Sequence, residues 1–342
     1  MSRILTFGEI MMRLATPGFE RFIQATSLGV SYAGGEANVA VSLAAFGHDA
    51  AFVTTLPKDS PFADAALASL RYYNVDVSQV RRSAQGRMGV YFLETGASQR
   101  GSKVIYDRAD SAIALCPPDA DQWPALLAGR HAFHTTGITP ALSPSCAQST
   151  LDALRTARSL SQMTSFDLNY RAKLWSRDAA RQGIEPLLQY VDVLIGNEED
   201  AKDVLGITAP KTDVSRGQID HAAYESVARQ IQERYGVPRV AITLRESESA
   251  SVNGWSACLL DGGTFYRSRR YSIFVVDRVG GGDSFCGGLL AGFLDGMPPQ
   301  DALEFAVAAS CLKHSIPGDF NKVSREEVLR LCGGDGSGRV VR

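Results

Sequence analysis

A chain of 342 residues, 45% hydrophobic and 21% charged, is long enough to bury a large core, either as one big α/β domain or as two smaller ones. Its 35 basic and 37 acidic residues leave a net charge of −2, which excludes a basic field able to draw in nucleic acid or an anionic membrane and points to a small partner. The six cysteines contain no Cys-x-x-Cys pair and the five histidines no ligand-spaced cluster, so reduced thiols and no structural zinc are expected.

Met1-Ser2-Arg3 leads into the apolar run Ile4 to Phe7, too short for a signal sequence or a membrane span, and the chain is expected in the cytoplasm. That run reads as a first strand. Residues 10 to 33 break the pattern with extended, turn-punctuated sequence. A helix follows from Asn38 to Phe46, closed by Gly47, then a strand from Ala51 to Thr54 and a helix around Pro61 to Tyr73. Residues 86 to 110 break the pattern again: Gly89 to Glu94 and Ser102 to Arg108, joined through Gly96 to Gly101, read as a β-hairpin. Strands are expected at Ala132 to Thr135, Thr164 to Asp167, Val191 to Ile195 and Val240 to Leu244, separated by helical stretches, and a buried strand at Tyr271 to Val276. Phe285, Leu289 and Phe293 then recur on one helical face. Residues 209 to 222 read as a polar insertion without assigned function, and 333 to 342 as a Gly-rich, mobile tail.

This alternation predicts an α/β fold, a mostly parallel central sheet with helices on both faces, forming a single domain over residues 1 to 332. The two interrupting segments, about 10 to 33 and 86 to 110, are expected to form a small β-sheet lid over the C-terminal strand ends, where ligands bind. An edge extension of the main sheet is the alternative. A lid sheet has an exposed face and edge that a second subunit can cover, so a homo-oligomer is expected, as a dimer through the lid or a higher assembly.

The stretch Val276-Asp277-Arg278-Val279-Gly280-Gly281-Gly282-Asp283 places a carboxylate just behind three glycines at the start of a helix. Backbone N–H groups freed of Cβ atoms can crowd around an anion, and the helix start adds roughly half a positive charge. Asp283 is poorly suited to binding phosphate but well suited to taking a proton from an attacking hydroxyl, which makes this a candidate phosphoryl-transfer site. A tight turn whose Asp caps the helix is the simpler alternative. No Walker-type phosphate loop, no Gly-x-Gly-x-x-Gly at the first strand and no protein-kinase motif competes for the role.

With Gly34-Gly35-Glu36-Ala37-Asn38 near the start and Val276 to Asp283 near the end, the chain resembles the PfkB/ribokinase family of sugar kinases over nearly its whole length. Gly8-Glu9, Tyr91, Tyr106-Asp107-Arg108, Gly137 to Pro140, Asp167 to Arg171 with Leu174-Trp175, and Pro317-Gly318-Asp319 make it most similar to the branch acting on 2-dehydro-3-deoxygluconate. The resemblance implies that Gly34, Gly35, Asn38, Tyr91, Tyr106, Arg108, Ile138, Arg171, Asp283 and Asp319 contact a sugar acid. It also implies ATP near Asn197, Thr243, Arg245, Gly280 and Gly282, with Ser310 by the adenine. Asp283 is implied as general base in an anion hole built from Gly280, Gly281 and Gly282, phosphorylating the terminal hydroxyl with Mg2+ bridging the phosphates. A near-normal acidity is expected to be adequate for that base.

An acid also needs a guanidinium able to fork onto its carboxylate, and Arg108 and Arg171 are the two candidates. Tyr91 and Tyr106 can offer hydroxyls from the lid while covering the carbon skeleton. Three departures from the family pattern stand out. Arg278 and Gly281 occupy the usual Thr and Ala positions. Asn197-Glu198-Glu199-Asp200 ends in Asp where Glu is usual, leaving Asp200 and Glu199 as alternative ligands of metal-bound water; a helix start capped by Asn197 is the plainer reading. Arg245 to Ala250 lack the glycines of the usual nucleotide-covering loop. A kinase for a neutral sugar or nucleoside, and a silent sugar-acid sensor, are the alternative functions; epimer preference and a monovalent cation at the anion hole stay open.

Overall fold

A computed structural model describes residues 1–197, 199–208 and 221–336. Six strands run parallel in the order Asp49–Val53, Arg3–Phe7, Ala132–Thr136, Met163–Asp167, Val193–Asn197 and Arg239–Ser247. Three antiparallel strands extend the sheet beyond the last of these: Val252–Asp261 pairs with it, and Thr264–Arg267 and Tyr271–Phe274 both pair with Val252–Asp261.

Side chains alternate across the sheet as the pleat requires. Ile4 and Phe52 face one core layer, packed under the helices Gly35–Ala45, Gly281–Leu294 and Pro299–Lys313. Leu5, Phe7, Phe133 and Leu194 face the other, under Pro144–Ser159, Arg177–Leu188 and His221–Tyr235. Because both faces are covered, most of the parallel strands carry apolar runs that are legible in sequence, while Ala132–Thr136 and Met163–Asp167 bury His134, Thr135, Thr136, Thr164 and Ser165 as well. The helix Gly281–Leu294 is itself buried almost all round, with Phe285 and Leu289 inaccessible to solvent.

The two interrupting segments come together as a separate four-stranded sheet in the order Gly29–Ala33, Met11–Ala15, Val90–Glu94 and Lys103–Asp107. The expected hairpin is its last pair, with Tyr91 opposite Tyr106.

Three expectations need correction. The helix assigned from Asn38 starts at Gly35, with Gly34 as its extended first cap, so Gly35, Glu36 and Ala37 already belong to it. The strand expected over Tyr271 to Val276 is a short strand, Tyr271–Phe274, on the antiparallel side of the sheet, with Phe274 66% exposed; apolar content alone does not distinguish a central strand from an outlying one. The long antiparallel strand Val252–Asp261 has no counterpart among the expected elements. The polar insertion lies, apart from its last two residues, outside the described residues, as does the end of the tail from 337 onward. Among the described residues no helix is long and apolar enough to cross a membrane.

Phe133 is fully buried and meets Trp123 edge to face, with ring centroids 5.8 Å apart. Phe133→Ala should lower stability by about 3–5 kcal/mol, read from the urea midpoint of the ligand-free protein; a loss below about 1 kcal/mol would be incompatible with this core.

Candidate active site

The C-terminal ends of the parallel strands deliver the site. Glu9 follows the first strand, Ile138 follows Ala132–Thr136, Asp167 to Arg171 end and follow the next, Asn197 to Asp200 follow Val193–Asn197, and Thr243 and Arg245 lie on Arg239–Ser247. Two connected hollows form above them. The outer cleft, about 340 Å³, is lined by Asn197, Asp200, Thr243, Arg245, Trp255, Arg278, Gly280, Gly282 and His314 among others. The inner pocket, about 70 Å³, lies under the lid. Asn169, Arg171, Val279 and Asp283 line both.

The glycine loop is shaped by contact. Gly280 has φ of +81° and starts the helix; a Cβ there would lie 2.0 Å from the carbonyl oxygen of Asp319, so only glycine fits. Behind the loop, the buried Ser310 hydroxyl donates to the Gly281 carbonyl at 2.7 Å. Asp283 then stands at the floor shared by the two hollows and accepts a hydrogen bond from Asn38 Nδ2 at 2.6 Å, across 245 positions of sequence. Asn38 is held in turn, its Oδ1 accepting from the Gly34 N–H at 3.3 Å. Glu36, between them, is buried and accepts from the Thr136 N–H and from the hydroxyls of Thr136 and Thr139, pinning this helix start to the sheet.

All ten residues assigned to the sugar acid line the inner pocket: Gly34, Gly35, Asn38, Tyr91, Tyr106, Arg108, Ile138, Arg171, Asp283 and Asp319. Their partners differ from expectation. Arg108 donates through both Nε and Nη2 to Glu9 Oε2, so its charge is already balanced by a buried carboxylate. The Tyr91 hydroxyl is likewise committed, donating to Asp319 Oδ2 at 2.7 Å. Arg171, by contrast, donates only to the neighbouring Tyr170 carbonyl, at 2.9 Å, and makes no ion pair among the described residues. Of the two guanidinium groups lining the inner pocket, it is the one without an ion pair among the described residues.

In the outer cleft, Ser310 is out of place as a nucleotide contact: it is fully buried beneath the glycine loop, and the rings facing the cleft are Trp255 and His314, with centroids 4.9 Å apart. Glu199 is exposed and does not line the cleft, whereas the buried Asp200 does. Asn197 Oδ1 accepts from the N–H groups of Glu199 and Asp200, as a helix cap does. Asp200 accepts from the N–H groups of Asn197 and Tyr170. Thr243 and Arg245 both line the cleft, the latter exposed. Arg278 joins them, donating to the Ala250 carbonyl at 3.3 Å while its buried Nε has no partner among the described residues.

Sequence reasoning missed the cleft roles of Asp167, Asn169, Trp255 and His314. Asn169 carried a usable signal: its φ of +39° is a left-handed conformation that Asn tolerates better than most residues, at the point where the chain turns out of the strand.

Carboxylates crowd this floor. Burial pushes Asp283 up to about 6, with Asp319 and Glu36 adding to the rise and the Asn38 hydrogen bond and Arg171 opposing it. Burial also raises Asp200 to about 6, and burial with Asp200 and Asp283 nearby drives Asp167 well above the usual range. The expectation of near-normal acidity for Asp283 is therefore corrected.

Comparison with known proteins agrees with this geometry. The model of the pfkB family carbohydrate kinases matches residues 1–323. The chain belongs to the pfkB family of carbohydrate kinases. A 2-dehydro-3-deoxygalactonokinase of Haloferax volcanii is 36% identical, covering 98% of both chains. A 2-dehydro-3-deoxygluconokinase of Thermoproteus tenax is 32% identical, over 93% of this chain and 90% of the relative. The crystal structure of a 2-dehydro-3-deoxygluconokinase of Thermotoga maritima superposes with a TM-score of 0.92 at 46% identity, covering 97% of this kinase and 98% of that chain.

The raised Asp283 has a consequence for stability. A carboxylate with a higher pKa folded than unfolded binds more protons when folded, so its contribution falls as pH rises from about 4 to about 6. Asp283→Asn should therefore raise the melting temperature of the ligand-free kinase above pH 6, with the gain vanishing toward pH 4. Equal melting temperatures at pH 8 would contradict a buried, charged Asp283.

Proposed function

We propose that this kinase transfers the γ-phosphoryl group of ATP to the terminal hydroxyl of 2-dehydro-3-deoxygluconate, giving the 6-phosphate. The observation that carries the acid assignment is Arg171, a guanidinium without an ion-pair partner among the described residues, lining both the inner pocket and the outer cleft. A neutral sugar has no use for a guanidinium held by no ion pair there, while a carboxylate can take a forked pair of hydrogen bonds from it. The names of the relatives point to the same substrate class.

In this reading Asp283 accepts the proton of the terminal hydroxyl as the oxygen attacks in line, and Asn38 holds the carboxylate in place. A pKa near 6 suits a general base, which is then ionised at neutral pH yet keeps some proton affinity. The N–H groups from Gly280 to Asp283, at the start of a helix, stabilise the charge on the transferred group. Arg245 and Arg278 face the polyphosphate; neither makes an ion pair among the described residues, and the Nε of Arg278 is a donor awaiting an acceptor. Trp255 and His314 flank the nucleotide in place of Ser310.

Mg2+ fits the donor set, because it keeps most of its waters and takes one or two carboxylates together with phosphate oxygens, so no three-residue cage is needed. Asp200, with Asp167 close by, would hold its waters, and the crowding of raised carboxylates is the charge excess a divalent cation relieves. When bound it would neutralise phosphate charge.

The deciding measurement is ATP consumption with 2-dehydro-3-deoxygluconate, its galactonate epimer, fructose, ribose and adenosine in parallel. Turnover confined to the keto-deoxy acids is expected; turnover only with a neutral acceptor would overturn the acid assignment. With the acid substrate, kcat/KM should fall as pH drops through about 6, where Asp283 takes up its proton. Asp283→Asn should lower kcat by roughly 10²- to 10⁴-fold with little change in acceptor binding. Arg171→Ala should raise KM for the acid by about 10- to 100-fold, and an equal loss with a neutral acceptor would remove Arg171 from carboxylate recognition.

A further inference from the structure

Arg13 is a buried charge with no part in the chemistry assigned to Asp283 and Arg171. It sits in the middle of Met11–Ala15, an interior strand of the lid sheet, and is 5% exposed. Its Nη2 donates to Asp277 Oδ2 at 2.6 Å, and its Nη1 donates to Asp319 Oδ1. Asp277 opens the glycine loop, and its Oδ1 accepts from the Val279 N–H at 3.1 Å while its Oδ2 accepts from the Gly318 N–H at 3.0 Å. Asp319 lines the inner pocket, accepts from Tyr91, the cross-strand neighbour of Arg13, and presents the carbonyl against which Gly280 is seated. Lys313, fully buried, donates to the Asp277 backbone carbonyl at 3.1 Å, while Arg13 alone pairs with the two carboxylates among the described residues. A single lid side chain thus holds both the start of the glycine loop and the floor beneath it.

The geometry points to Arg13 as a positioning residue: through Asp277 and Asp319 the lid strand fixes where the Gly280 to Asp283 loop stands relative to the acceptor pocket. This rests on the reading of Asp283 as base. The requirement is for a guanidinium, because a rigid fork can span two carboxylates at once whereas an ammonium is a single point charge. A brace that only stabilised the fold would lower the fraction of folded protein and leave the chemistry of each folded molecule unchanged. The coupling of lid and loop acts on the chemical step, since small misplacements at a reacting centre are costly.

The test compares the full-length wild type with Arg13→Lys, Arg13→Met and Arg13→Met/Asp319→Asn, using whichever hydroxyl acceptor the wild type turns over and correcting for folded fraction by circular dichroism. Arg13→Lys, which keeps the charge and the fold, should lose roughly 10- to 100-fold in kcat with acceptor KM changed only a few-fold. The second readout is the acid limb of kcat/KM. Asp283 is faced by Glu36 and Asn38 from the first helix, by Asp167 and Arg171 from the strand Met163–Asp167 and its following loop, and by Asp319 with Arg13 behind it. Removing Arg13 leaves the Asp319 charge uncompensated, so in Arg13→Met the limb should move to higher pH, and adding Asp319→Asn should return it. Carbon-13 NMR of Asp283 in the ligand-free protein should show the same order without relying on turnover. An unchanged kcat per folded molecule, a rise in acceptor KM at constant kcat, or an Asp283 titration indifferent to Arg13 would each overturn the proposal. A wild type active only on neutral sugars would overturn the acid assignment while leaving this comparison intact.

Discussion

Two helix starts from distant parts of the chain have to meet for this site to exist, and the constraint that lets them is the close packing of the helices Gly35–Ala45 and Gly281–Leu294. At their crossing a Cβ on Gly287 would lie 2.5 Å from the Ser42 side chain, so the approach depends on a residue without one. That approach brings Asn38 within 2.6 Å of Asp283 and lays both N-termini toward one floor. Two sets of unsatisfied N–H groups and two aligned dipoles then favour negative charge at a single place. The sheet beneath supplies the rest by ending its parallel strands at the same level, where their following loops are free to carry polar groups.

The floor is correspondingly expensive. Glu36, Asp167, Asp200 and Asp283 all have their acidity weakened by burial, and each unpaired carboxylate there destabilises the ligand-free protein at neutral pH. The cations are distributed unevenly against them. Arg108 is balanced by Glu9 and Arg13 by Asp277 and Asp319, which makes those pairs part of the framework. Arg171, Arg245 and Arg278 are left facing open space. The arginines that brace the site are paired, and those lining the outer cleft make no ion pair among the described residues. Strain of this kind, carried by the rigid core, is a usual mark of a functional site.

Much of this was legible before any coordinates. The alternation of apolar runs and amphipathic helices marked the layers, and the glycines ahead of Asp283 marked the turn, because each is a local signal carried by neighbouring residues. The errors share a cause as well. Ser310 looked available for a nucleotide, but its helix turns it under the glycine loop. Arg108 and Tyr91 line the inner pocket as expected, but their partners Glu9 and Asp319 are remote in sequence and left no local signal. Arg13 attracted no attention, since one arginine in a short strand has no local signature of burial.

The α/β layering, the lid segments and the chemistry available at the turn from Gly280 to Asp283 were thus readable along the chain, because they follow from periodicity and from adjacent residues. Which charges are paired came from the fold instead: Arg108 with Glu9, Arg13 with Asp277 and Asp319, and Arg171 with no carboxylate among the described residues. The physical reason is that ion pairing depends on distances of a few ångströms between side chains from different elements, and those distances are set by strand register and helix packing. A list of charged residues contains neither.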